Sequence, residues 1–189
     1  MSDLTKKVIY TPRTGTEMEE ATGHKVPILK YSELCDLAKR IGSTRMLAHM
    51  FRQAKHNIIL LQNPMDMSSG HWYSVSCNPT KKEIYFFSTY GKRPDIEKLE
   101  WMSDDDMRES GQDLNIFNDA MRDYQERGWE IHYNDVKYQK EGDKTATCGL
   151  FTAAFINSGL NPDEFKQQIE ELKRCGIQPE FYFYQQYFQ

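Results

Sequence analysis

Among four cysteines, Cys148 holds the position best suited to chemistry. A polar segment, EGDKTAT, gives way there to CGLFTAAFINSG, apolar nearly all round as far as Asn157 and ended by Gly159. That pattern predicts a buried central helix starting at Cys148. The unpaired N–H groups and positive dipole end of such a helix favour an anion, so the expectation is a lowered thiol pKa and a nucleophilic thiolate. Gly149 leaves the sulfur approachable. Cys35, Cys77 and Cys175 form no C-x-x-C pair with one another or with Cys148, so they read as structural free thiols of a reducing compartment. A disulfide framework and a zinc site are both disfavoured.

A nucleophilic thiol needs an imidazole that takes its proton and later returns one to the leaving amine. Of five histidines, His71 is best placed, at the entry of a strand after Ser68-Ser69-Gly70. His49 and His56 fall on or after a helix, and His24 lies in a polar arm. His132 alternates with Trp129 and Ile131 and is the second choice. HWYSVSC and KEIYFFS flank NPTK and read as a β-hairpin. A loop centred between Pro79 and Thr80 sets His71 opposite Ser88, Tyr73 opposite Phe86 and Val75 opposite Ile84 on one face. Acyl transfer also needs donors for an oxyanion. The backbone N–H of Cys148 and the side-chain amide of Gln139, nine residues upstream, are the candidates.

The elements that carry these residues follow from periodicity. Ser32 caps a helix carrying Leu34, Leu37, Ala38 and Ile41, and a second helix after Gly42 carries Met46, Leu47, Met50 and Phe51. Strands are expected at about 58–62, 71–77, 82–88 and 129–134, with NPMDMSSG as a loop and residues 96–112 charged and irregular. Phe117, Ala120, Met121 and Tyr124 mark an amphipathic helix, and Asn161-Pro162 opens another with Phe165, Ile169 and Leu172 on one side. The acidic run Ser103–Asp106 reads as a solvated loop without metal, and the aromatic tail PEFYFYQQYFQ as a docked core element. The expectation is one α+β domain over 1–189: a mixed central β-sheet packed against the Cys148 helix, with residues 1–30 a polar, flexible or partner-dependent arm.

Composition agrees. At 189 residues the chain is long enough for one core, and 39% hydrophobic residues with 11 Gly and 7 Pro exclude disordered and collagen-like classes. A net charge of −4 gives no support to nucleic-acid binding. MSDLTKKVIYTPRTGTEMEE holds no apolar h-region, and the longest aliphatic run, Ile58 to Leu61, is too short for a bilayer, so neither secretion nor membrane insertion is expected.

His71-Trp72, the NP turn, YFFSTYG (85–91), Gln139 and Cys148-Gly149-Leu150-Phe151 together resemble the adenovirus-type maturation proteases and their relatives, the ubiquitin-like-protein proteases. The resemblance covers roughly residues 55–160, in the order His, acid, Gln, Cys. It implies an adenovirus-protease-like fold and peptide-bond hydrolysis through a thioacyl intermediate. Cys148 would be the nucleophile, His71 the base and then acid, and Gln139 the oxyanion donor. Trp72 would pack beside the site and meet substrate. No cofactor or metal is expected; family members can use a stimulating peptide or nucleic acid, for which the charge of −4 gives no independent support. The small chain looks like a viral member, from a virophage or related large DNA virus, acting in the host cytoplasm or virus factory or packaged in the virion. Its expected partner is a protein or peptide substrate, a viral capsid precursor first and a ubiquitin-like protein as the alternative.

Two features depart from the family pattern. The position usually occupied by Asp or Glu, and by Asn in some viral members, is Ser88, and the loop from Gln139 to Cys148 is a few residues longer. A hydroxyl can fix the imidazole tautomer but carries no charge to stabilise imidazolium. The expectation is a His71–Cys148 dyad with Ser88 orienting, and an inactive peptide-binding module is the reading from another class. Other templates fit less well. A phosphatase cysteine needs Arg six positions on, where Ala154 stands; papain-like enzymes run Cys before His; and a chymotrypsin-like barrel has no long apolar helix after its nucleophile.

Overall fold

The computed structural model describes residues 1–139 and 145–189. Its frame is a mixed five-stranded sheet of β1 (Ile28–Lys30), β2 (His56–Asn63), β3 (Asp66–Asn78), β4 (Glu83–Phe87) and β5 (Glu130–Tyr133), in sequential order. The outer pairs β1/β2 and β4/β5 are parallel, and the two inner pairs are antiparallel. Successive side chains point to opposite faces, and here both faces are covered. Ile59, Leu61, Tyr73, Val75 and Phe86 pack against α3 (Tyr31–Ile41), α4 (Ser43–Gln53) and α7 (Ile116–Glu126). Ile58, Leu60, Trp72, Tyr85 and Phe87 pack against α8 (Cys148–Ser158), α9 (Pro162–Arg174) and α10 (Pro179–Tyr187). Two-sided burial explains why β2 reads as a continuous apolar run.

The expected α+β architecture is present, with several differences. The hairpin register is offset: Val75 pairs with Phe86 and Cys77 with Ile84, because the turn lies between Asn78 and Glu83. An even offset changes the partners but keeps each residue on its face. The expected loop NPMDMSSG is mostly the start of β3, joined to β2 through an irregularity at Gln62/Asn63. The tract 96–112 is not irregular throughout: Lys98–Trp101 forms a short helix (α5), and the Ser103 run is also ordered. Ser103 and Asp106 form a reciprocal capping box that starts α6 (Asp104–Glu109).

The amino-terminal arm is docked rather than loose. A single turn at Asp3–Thr5 (α1), a π-helical turn at Lys6–Tyr10, α2 (Gly15–Ala21) and β1 account for most of it. Val8 and Met18 are fully buried in the cluster that covers α8. Gly149 is the point of closest approach. A Cβ there would lie 2.9 Å from Arg13 Cβ and 3.0 Å from Met18 Sδ, so glycine allows the arm to settle on the first turn of α8. That helix is buried at every position from Cys148 to Ile156. Phe155 stacks on Phe87 with centroids 4.4 Å apart, and the aromatic tail, as α10, buries Phe183 and Tyr184 beside it. Among the described residues, no helix is long and apolar enough to cross a membrane.

Candidate functional site

One cleft of about 640 Å³ brings together Cys148, His71 and Gln139, with Arg13, Trp72 and Tyr90 also in its walls. Cys148 opens α8, with Thr147 at the N-cap position making no side-chain capping bond. The thiol departs from expectation. Burial pushes it up, while the backbone N–H groups of Trp72, Gly149 and Cys148 and the Arg13 guanidinium pull the other way without reversing the shift. A helix terminus stabilises a thiolate, but excluding water from the neutral sulfur's surroundings costs the charged form more.

His71 is 3% exposed near the start of the paired part of β3. Its Nε2 lies 3.0 Å from Ser88 Oγ and 3.6 Å from Glu97 Oε2. Ser88 therefore contacts the imidazole as expected, although not as its directly opposed partner: extending the observed register brings Tyr90 across from His71. The Tyr90 ring stacks on the imidazole at 4.2 Å. Ser88 itself is clamped, its N–H donating to Asn134 Oδ1 at 2.9 Å and its carbonyl accepting from Asn134 Nδ2 at 2.6 Å. Its hydroxyl donates to Glu97 Oε2 at 3.0 Å.

Gln139 is held by both ends of its amide. Oε1 accepts from Thr89 Oγ1 at 3.2 Å, and Nε2 donates to the Thr145 carbonyl at 2.6 Å. The backbone N–H of Gln139 also donates to the Thr89 carbonyl at 3.1 Å. The amide nitrogen carries a second hydrogen, and Gln139 lines the cleft with Cys148. Residues 140–144, including most of the long connection noted in the sequence, lie outside the described residues.

Trp72 borders the cleft but is 4% exposed. Its indole N–H donates to the Arg13 carbonyl at 2.9 Å, and its own carbonyl accepts from Thr152 Oγ1 at 3.2 Å. It therefore ties the arm to β3 and β3 to α8. His132 does not line this cleft; it sits on β5 near Glu83 and Glu130.

Four residues at the site escaped the sequence reading. Tyr90 lay within YFFSTYG, and the correct hairpin register would have singled it out. Asn134 closed the predicted last strand but had no visible partner. Arg13 stood in the arm read as loop. Glu97 was one acid in a charged tract, with no local signal to distinguish it. Compared with protein-family models and with curated proteins, the sequence finds no match in either.

Proposed function

We propose that the chain is a cysteine endopeptidase of adenovirus-protease-like fold. Cys148 Sγ attacks the substrate carbonyl carbon, the C–N bond breaks, and the acyl group remains on sulfur as a thioester. The thiol proton passes to His71 and then to the leaving amine; water, deprotonated by the same imidazole, adds to the thioester carbon, the C–S bond breaks to release the acid, and the imidazolium returns its proton to the sulfur. Because Nε2 is engaged with Ser88, proton exchange with sulfur runs through Nδ1. The Cys148 N–H and Gln139 amide stabilise the oxyanion, a role for which one donor is worth about 3 kcal/mol of barrier.

The observation that carries this reading is the meeting of Cys148, His71 and Gln139, from three separate parts of the chain, in one cleft. The resemblance points to viral structural precursors as substrates, a small residue such as Gly before the scissile bond, and action in the host cytoplasm, virus factory or virion.

The test is mass spectrometry of a capsid precursor incubated with the protein and with Cys148→Ala. A bond cut only by the former is the expected result, and identical products overturn it. A substrate ending in Gly-Gly, assayed in parallel, identifies a ubiquitin-like-protein protease. Ser88 in place of the usual acid favours a second reading, a peptide-binding module without turnover. In that case Cys148 reacts with an electrophilic probe no faster than free cysteine.

A further inference from the structure

The geometry points to Glu97 as the positioning acid of the site, supplying the negative charge that Ser88 lacks through a His71–Ser88–Glu97 chain; this deepens the cysteine-peptidase reading and rests on it. Ser88 has one hydroxyl hydrogen, and it goes to Glu97 Oε2 at 3.0 Å. Its oxygen is then the acceptor facing His71 Nε2, 3.0 Å away, and also faces the Tyr90 N–H at 3.4 Å. This order places the proton on Nε2 and makes Nδ1 the basic nitrogen. The carboxylate oxygen is also only 3.6 Å from Nε2, so its charge acts on the imidazolium directly as well as through the hydroxyl. With Glu97 2% and His71 3% exposed, little water intervenes.

The surrounding chain holds Glu97 in place. Asp95, two residues before it, adopts the left-handed backbone conformation at φ 67°, costly for a non-glycine residue unless neighbours enforce it. They do: the Asp95 carboxylate accepts from the Tyr31 hydroxyl and the Asn118 N–H. On the other side, buried Lys98 donates to Tyr31 Oη and to the carbonyls of Gln112 and Leu114. The segment carrying Glu97 is thus fastened to α3 and to the approach to α7. Among the described residues, other titratable groups around the imidazole include Tyr90 stacked on it, Tyr73 6.1 Å away on its own strand, and Cys148 and Arg13 in the cleft walls. Burial holds the Tyr73 phenol neutral far above the physiological range.

The test follows iodoacetamide alkylation of Cys148 against pH in the full chain, with the modified cysteine mapped by mass spectrometry. Wild type, His71→Ala, Glu97→Gln and the double variant Ser88→Asp/Glu97→Gln are compared, with thermal melting as the check on folding. Without the carboxylate, imidazolium is less stable and forms less of the thiolate–imidazolium pair. The Glu97→Gln rate near pH 6 should fall about tenfold or more, equivalent to one pKa unit of lost pairing, and its profile should approach that of His71→Ala. Ser88→Asp, which puts a carboxylate where the hydroxyl oxygen stood, should restore most of the rate. A purely structural Glu97 would lower the melting temperature while leaving the Glu97→Gln profile superimposed on wild type; that superposition overturns the inference alone. Equal rates in wild type and His71→Ala overturn both it and the peptidase reading.

Discussion

Replacing Gly70 by alanine should separate β3 from β2 immediately beside His71. A Cβ at this position would lie 2.0 Å from the Leu61 carbonyl oxygen, 2.9 Å from its carbon and 3.0 Å from Gln62 Cα. All three are backbone atoms, so no side-chain rotation relieves the clash. A comfortable carbon–oxygen contact is about 3.3 Å, which demands a local shift of about 1.3 Å. Gln62 cannot yield freely, because the Gln112 side chain grips its N–H at 2.8 Å and its carbonyl at 2.9 Å. One or two lost ladder bonds at about 1 kcal/mol each, plus backbone strain of about 1–3 kcal/mol, give about 3 kcal/mol of destabilisation. For a chain this size that is about 10 °C in melting temperature. On the proposed peptidase reading, a shift of about 1 Å at the adjacent imidazole should also cost about a hundredfold in turnover. Urea unfolding with an unchanged m-value and a lowered midpoint would show the stability loss. A midpoint and melting temperature equal to wild type would refute the close-approach argument.

Two further perturbations follow. Burial pushes the Cys35 thiol up to about 12, whereas an unfolded thiol titrates near 8.5. Between those values the unfolded chain has lost a proton that the folded chain keeps, so stability falls with rising pH by about 1.4 kcal/mol per unit for this group. Urea midpoints at pH 7.5 and 10 should converge partly in Cys35→Ala, and an unaltered pH dependence would refute the assignment. Arg13→Met removes a guanidinium 5.1 Å from the ring centroids of Tyr184 and Phe188 and the charge that draws the Cys148 thiol down. The expected outcome is a loss of about 1–2 kcal/mol and about threefold slower alkylation at neutral pH; unchanged alkylation would show that Arg13 only packs.

Legibility tracked the range of the interactions. α8 was readable because its nine buried residues carry a continuous apolar signal, and α3, α4 and α7 because each has one apolar stripe. The His71–Ser88 contact follows from a hairpin register that is itself offset, and it survives because the offset keeps the face and leaves a diagonal neighbour in reach. The arm reads as polar loop because its buried positions, Val8, Arg13 and Met18, gain meaning only from α8 and α10, far away in the chain. The direction of the thiol shift is not legible in the sequence, because a helix start is visible locally whereas the desolvation that outweighs it depends on how the arm and sheet close around the sulfur. Glu97 was hidden for the same reason: it reaches the imidazole only after Tyr31, Asn118 and Leu114 have fastened its neighbours.

The turn from Pro79 to Lys82 works as a vernier for a site it never touches. Asn78 pairs with Glu83 at one end of the ribbon, and that choice decides, several residues away, which side chain slides past the imidazole. Inserting two residues in this solvent-facing bend could leave every greasy side chain on its own side of the sheet while exchanging the histidine's neighbour. The proposed chemistry is therefore exposed to length changes at a place where foldability would scarcely notice them.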